Sequence, residues 1–211
     1  MRHAALLDRE RAVLVVIDLQ EGYRTALQAW QRVVVACQLL VEGSAILGVP
    51  LVVTEQYPRG LGHTAPEVAG RFPPGLQVIE KMSMSCCGAA TFTERLAATG
   101  RRQVLVAGIE THACVNQTVH DLLMLGYQVQ VARDATASRR LADVEPAWEK
   151  MEAAGMLPTS SEQALLELVR TAESAEFKAL QRLLKEAPFR ASDARGGGGQ
   201  KEKGTSDGPS S

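Results

Sequence analysis

Three residue types capable of joint chemistry stand at the ends of apolar runs in this 211-residue chain. Asp18 closes the run in VVIDLQ, Lys81 follows VIE and precedes Met82 and Ser83, and Cys114 sits in GIETHACVNQT. A carboxylate placed straight after apolar residues is costly unless it is paired or hydrogen-bonded. Asp18 therefore reads either as a structural acid at a strand exit or as a general base whose ionisation its surroundings tune. Lys81 alone reads as a solvated lysine, whereas at a shared sheet edge its charge would hold an acid–thiol pair in the ionised form. Cysteine is among the most buried residue types, so Cys114 has a bland reading as a small core residue. Its reactive reading rests on Thr111 as N-cap, which puts the sulfur in a first helical turn where free N–H groups and the helix dipole favour a thiolate.

The elements that must position these residues alternate along the chain. Residues 13–19, VLVVIDL, form a continuous β-branched apolar run, the pattern of a strand buried on both faces. A helix is predicted over 24–47, ended by Gly48-Val49-Pro50, then a strand over 51–55 and a long polar loop containing Pro58, Gly60, Gly62 and Pro66. A short strand over 77–81 and a helix over 91–99 follow, with Gly100 just past the helix end. Residues 103–109 make a further buried strand, and Val115, Val119, Leu122 and Leu123 give the helix over 111–125 its apolar stripe. A strand over 127–134, a helix over 141–154, an edge segment over 156–158 and a last helix over 161–184 complete the pattern, with Thr159, Ser160 and Ser161 as N-cap candidates. Alternation with short connections predicts an α/β fold with a mainly parallel sheet and right-handed crossovers. In such sheets ligands bind outside the carboxyl ends of the strands, where Asp18, Lys81 and Cys114 all fall.

Length favours one domain over residues 1–187, and the Gly-, Ser- and Lys-rich composition of 188–211 predicts a disordered tail. A net charge of −1 offers no electrostatic reason to expect nucleic acid or an anionic membrane as partner. No apolar run of transmembrane length stands out, and Asp8, Glu10 and Arg11 ahead of the first strand do not read as a signal peptide. The four cysteines have no disulfide-framework spacing, so a cytoplasmic, reducing location is expected.

VVIDLQ, VVTEQYPRGLGHT, the EK-x-S segment, AGIETHACVNQTVHDLLMLGYQV and VARDATASR, taken in this order, resemble the isochorismatase-like cysteine hydrolase superfamily over residues 12–186. The TEQYP-x-GLG loop and the FK-x-LQ-x-L-x-KE ending at 177–186 are most similar to the isochorismatase-domain-containing proteins. The resemblance implies a three-layer α/β/α, Rossmann-like fold with a six-stranded parallel sheet and an Asp-Lys-Cys triad formed by Asp18, Lys81 and Cys114. It also implies a cis peptide between Ile109 and Glu110, backbone N–H groups of Glu110 and Cys114 as an oxyanion hole, and a homo-oligomer, dimer or higher. The expected reaction is attack of Cys114 on a small amide or other C–N substrate through a thioester-type intermediate, with a small molecule as the only partner class and no cofactor.

Departures narrow this. Metal-binding nicotinamidases of the superfamily carry an Asp-x-His pair after the second strand, where this chain has Thr54-Glu55-Gln56-Tyr57 and only His63 nearby, so no metal is expected. Cleavage of isochorismate itself needs no cysteine. Gln20, Tyr57, His63, Cys86 and His112 are candidate pocket residues, with Tyr57, Arg59 and His63 reading equally as a subunit interface. Cys86-Cys87 reads as helix-start residues lining the site. Two other readings stand beside the hydrolase: a thiol redox protein using Cys86, Cys87 and Cys114, and an idle scaffold that keeps the fold.

Overall fold

In the computed structural model, residues 2–187 are described; the expected tail at 188–211 lies outside them. Six parallel strands form one sheet in the order β3-β2-β1-β4-β5-β6. They are β1 (Ala12–Ile17), β2 (Leu51–Gln56), β3 (Ile79–Lys81), β4 (Gln103–Ile109), β5 (Gln128–Ala137) and β6 (Leu157–Thr159). Along β1 successive side chains bury on opposite faces, Ala12, Leu14 and Val16 into one core and Val13, Val15 and Ile17 into the other. Helices cover both faces, which is why the strand reads as unbroken hydrophobicity.

The helices are α1 (Trp30–Leu47), α2 (Pro58–Leu61), α3 (Pro66–Ala69), α4 (Ala90–Ala98), α5 (Asn116–Met124), α6 (Val144–Ala153), α7 (Ser161–Val169) and α8 (Phe177–Glu186). One core gathers residues of α1, α7 and α8, the other residues of α4, α5 and α6, giving three layers. By length and composition α1 is apolar enough to cross a membrane, in contrast to the expectation that no such run exists. Its apolar surface serves the core here, with 67% of the helix buried.

Several boundaries differ from the sequence expectation. The first helix begins at Trp30 rather than at 24, because residues 21–23 close a separate turn in which Leu27 N–H donates to the Tyr23 carbonyl at 3.0 Å. The long polar loop contains α2 and α3. The last helix is two helices: Arg170 takes a left-handed conformation (φ 65°), and the break lets both α7 and α8 pack on α1. Ser160 is the α7 cap, its hydroxyl accepting from the Gln163 N–H at 3.3 Å.

The strand order reverses between β1 and β4, the topological switch point at which open α/β sheets bind ligands. Gly108 governs how closely those two strands approach. It has φ +111°, and a Cβ there would sit 2.0 Å from the Ile17 carbonyl oxygen, so no other residue fits beside Asp18.

Candidate active site

Asp18 leaves β1 with a left-handed backbone (φ 49°), which aims its carboxylate along the carboxyl rim. Both oxygens are held. Thr54, within β2, donates its hydroxyl to Asp18 Oδ1 at 2.7 Å, and Lys81, last residue of β3, donates Nζ to Asp18 Oδ2 at 2.6 Å. The ammonium also donates to Gln56 Oε1 at 2.7 Å and to the carbonyls of Ser83 and Met84, each at 3.1 Å. The pair is dry: the Lys81 and Asp18 side chains are 0% and 2% exposed. Burial works to lower the lysine's pKa, but the charge and hydrogen bond of Asp18 more than offset it, so the ammonium is held more firmly than in water.

Cys114 lies across the switch point, in a π-helical turn (Thr111–Val115) that leads from β4 into α5. Such turns re-aim single side chains and are frequent at functional sites. Its thiol lies in the field of both the Asp18 carboxylate and the Lys81 ammonium, so the three triad candidates share one neighbourhood. The expected resting thiolate is not what that neighbourhood favours. Burial, then the Asp18 charge, push the Cys114 thiol up to about 12, and Lys81 only partly opposes them. The dipole argument fails because the turn is distorted. Thr111 is not its cap: Glu110 occupies that position without a side-chain bond, and the buried Thr111 hydroxyl has no partner among the described residues. The resting site is therefore a neutral thiol facing a lysine–aspartate ion pair.

The expected cis peptide is present at Ile109–Glu110. Glu110 is buried, and its Oε1 accepts from Arg139 twice, from the backbone N–H at 2.8 Å and from Nε at 3.0 Å. The Arg139 guanidinium lies 5.8 Å from the Tyr23 ring centroid. Burial, followed by the charge of Glu110 and with a smaller part from Asp18, raises the Tyr23 phenol's pKa, which places that hydroxyl in the field of the site.

The remaining candidates divide. Cys86 is buried, its sulfur 3.6 Å from the Thr54 hydroxyl, and its thiol is pushed up to about 12, chiefly by burial. Cys87 is only part-buried and is raised to about 11. Tyr57 and Arg59 line a cleft of about 540 Å³ that reaches Lys81. Gln20 is not a free pocket group: its amide donates to the Gln56 and Gly62 carbonyls (2.9 and 2.6 Å) and accepts from the Gln56 N–H at 2.7 Å, pinning the loop after β2. His63 points outward, 81% exposed, with Nδ1 2.9 Å from Glu55 Oε2. His112 pairs with the Ser138 hydroxyl at 2.9 Å. Among the described residues no group of three His, Cys, Asp or Glu side chains could hold a metal ion.

Sequence reasoning missed Thr54, Gln56, Tyr23 and Arg139. The first two carry a recoverable signal, since they are β2 residues paired with β1 and β3: Ile17 is in register with Thr54, and Gln56 with Lys81. Tyr23 and Arg139 carry none, because their meeting depends on a turn and a loop that periodicity does not describe.

Residues 12–163 match the isochorismatase domain family. The chain is 36% identical over 176 residues to "Isochorismatase domain-containing protein 1" of Salmo salar, covering 82% of this chain and 60% of that protein's length. Among solved structures, the "MAR1 Ribonuclease from Caenorhabditis elegans" is 35% identical, with a TM-score of 0.82 over 87% of this chain and 94% of the other. The YcaC gene product of Escherichia coli, described as an octameric hydrolase of unknown specificity, shares the fold with a TM-score of 0.83 at 21% identity, over 92% of this chain and 96% of that one.

Proposed function

Because the chain belongs to the isochorismatase domain family, we propose that it is a metal-independent cysteine hydrolase cleaving a small amide or related C–N bond, with Cys114 as nucleophile, Asp18 as base and Lys81 fixing Asp18. The supporting observation is the single buried carboxylate that binds the Lys81 ammonium at 2.6 Å and whose charge also acts on the Cys114 thiol.

The raised thiol dictates how the step runs. A sulfur that resists ionisation loses its proton only as its bond to the substrate carbon forms, and Asp18 takes that proton in the same movement. Lys81 stays protonated and keeps the carboxylate aimed. The carbonyl oxygen, negative after attack, is met by the backbone N–H groups of Glu110 and Cys114. Asp18 then returns the proton to the departing amine, and a thioester remains on Cys114. Water gives a proton to Asp18 and adds to the thioester; the carboxylic acid departs and the thiol is restored. Amide and water are consumed, acid and amine are released.

The test is a panel of small amides, carbamoyl compounds and imides assayed with wild type, Cys114→Ala and Asp18→Asn. At least one compound is expected to turn over, with a loss of roughly 10³-fold or more in either variant. A loss below about tenfold in Cys114→Ala sinks the nucleophile assignment. The name borne by the Caenorhabditis elegans relative supplies a second reading, cleavage of RNA, so an RNA substrate belongs in the same panel. Turnover of RNA with no amide hydrolysed moves the assignment there. The octameric description of the E. coli neighbour accords with assembly into a homo-oligomer, which sedimentation of the purified chain checks.

A further inference from the structure

We propose that Arg139 selects the substrate, and that the amides this site takes carry a carboxylate about one strand spacing from the scissile carbonyl. This deepens the hydrolase reading and rests on it for the position of the reacting carbon.

The geometry follows from the sheet. Cys114 follows β4, and Arg139 follows β5, the neighbour of β4 on the side away from Asp18 and Lys81. Adjacent strands lie roughly 4.8 Å apart, a separation that two or three methylenes bridge. The guanidinium is held at one edge only: Nε is fixed on the buried Glu110, which opens the turn carrying Cys114. The side chain is 55% exposed, and its Nη groups make no hydrogen bond within the described residues, leaving the forked edge that matches a carboxylate bidentately. Tyr23 spans the gap. Its ring lies 5.8 Å from the guanidinium, and its phenol, raised chiefly by burial, is also in the field of Glu110 and Asp18.

Tyr23 is itself fixed. The Glu21 N–H donates to the His63 carbonyl at 2.9 Å, and Arg24 donates to Glu67 at 2.9 Å, which tie the turn to the loop after β2. A Cβ on Gly22 would meet the Leu61 carbonyl at 2.7 Å, so the two backbones touch. The other acid on this side, Asp143, faces Arg140 Nε at 3.5 Å and His112 Nε2 at 3.9 Å rather than Arg139. A substrate carboxylate at Arg139 thus meets a positioned donor pair beside an aromatic wall, with the amide carbon over the sulfur.

The experiment compares acids with neutral isosteres of the same length: succinamate against butanamide, and glutaramate against pentanamide. Wild type is expected to prefer one of the acids in kcat/KM by roughly 10–100-fold. Arg139→Gln is expected to bring the acid-to-neutral ratio of kcat/KM to within about threefold of one; Arg139→Lys restores part of that ratio. Calorimetric binding of the same acids to Cys114→Ala gives a readout without turnover, expected for an acid and not for its isostere. If wild type hydrolyses acid and neutral amides alike, the arginine assignment falls while the hydrolase stands. If Arg139→Gln lowers both classes equally, Arg139 only props the wall and the proposal is overturned. Acid binding to Cys114→Ala without turnover by wild type supports the arginine and counts against the hydrolase. Absence of both acid binding and acid turnover overturns the proposal.

Discussion

At the scale of single residues, the Lys81–Asp18 pair carries a large desolvation cost that only its own geometry offsets. Lys81→Met leaves a carboxylate in a dry site without its counter-charge, and is expected to cost about 3–5 kcal/mol in urea unfolding. Adding Asp18→Asn removes that stranded charge and is expected to restore most of the loss; a double variant no more stable than Lys81→Met would contradict the pairing. The thiol gives a second prediction with a definite sign. With Cys114 raised to about 12, iodoacetamide reacts more slowly at neutral pH than with a free cysteine, and the rate climbs about tenfold per pH unit through pH 9. Asp18→Asn removes the anion that raises the thiol, so alkylation at pH 8 speeds up, whereas Lys81→Met slows it. A plateau near pH 7 would mean a resting thiolate.

Among elements, the β1–β4 contact does most to place the chemistry. These strands pair along their length, Ile17 opposite Gly108, and the β4–β5 register slips between Val106 and Gly108. Gly108→Ala forces a methyl against the Ile17 carbonyl in a backbone conformation that side chains resist. Roughly 2–3 kcal/mol of destabilisation is expected, with an activity loss larger than that stability change explains, because Asp18 and the Cys114 turn shift together. Thermal unfolding and turnover measured side by side check it; an alanine variant equal to wild type in both would show that the strands can part without consequence.

For the whole molecule, both cores hold thiols that burial raises above their ordinary value of 9.0: Cys86 and Cys114, each to about 12, and Cys37 further still. Below pH 9 these groups are protonated in folded and unfolded chains alike, and their preference for the neutral form is fully expressed. Above pH 9 the unfolded chain releases protons that the folded one keeps, so stability falls as pH rises from 9 towards 12. The melting temperature is expected to drop over that window more steeply in wild type than in a variant carrying Cys37→Ala, Cys86→Ala and Cys114→Ser. Parallel slopes would show that these thiols are not dry in solution.

By itself the sequence determined the layers and the rim. Val- and Ile-rich runs at 13–19 and 103–109 read as strands covered on both sides, and parallel strands send their carboxyl ends to one edge, where Asp18, Lys81 and Cys114 fall. Family motifs fixed the residue types, and the backbone at Ile109–Glu110 followed the same resemblance. Tertiary structure decided the charge state and the mouth. Whether Cys114 rests as thiol or thiolate depends on burial and on which acid it faces, quantities that spacing along a chain does not encode. Likewise Tyr23, Glu110 and Arg139 lie far apart in sequence and meet only because a short turn, a π-helical turn and a strand exit converge. Their contacts are side chain to side chain, and no local periodicity records them.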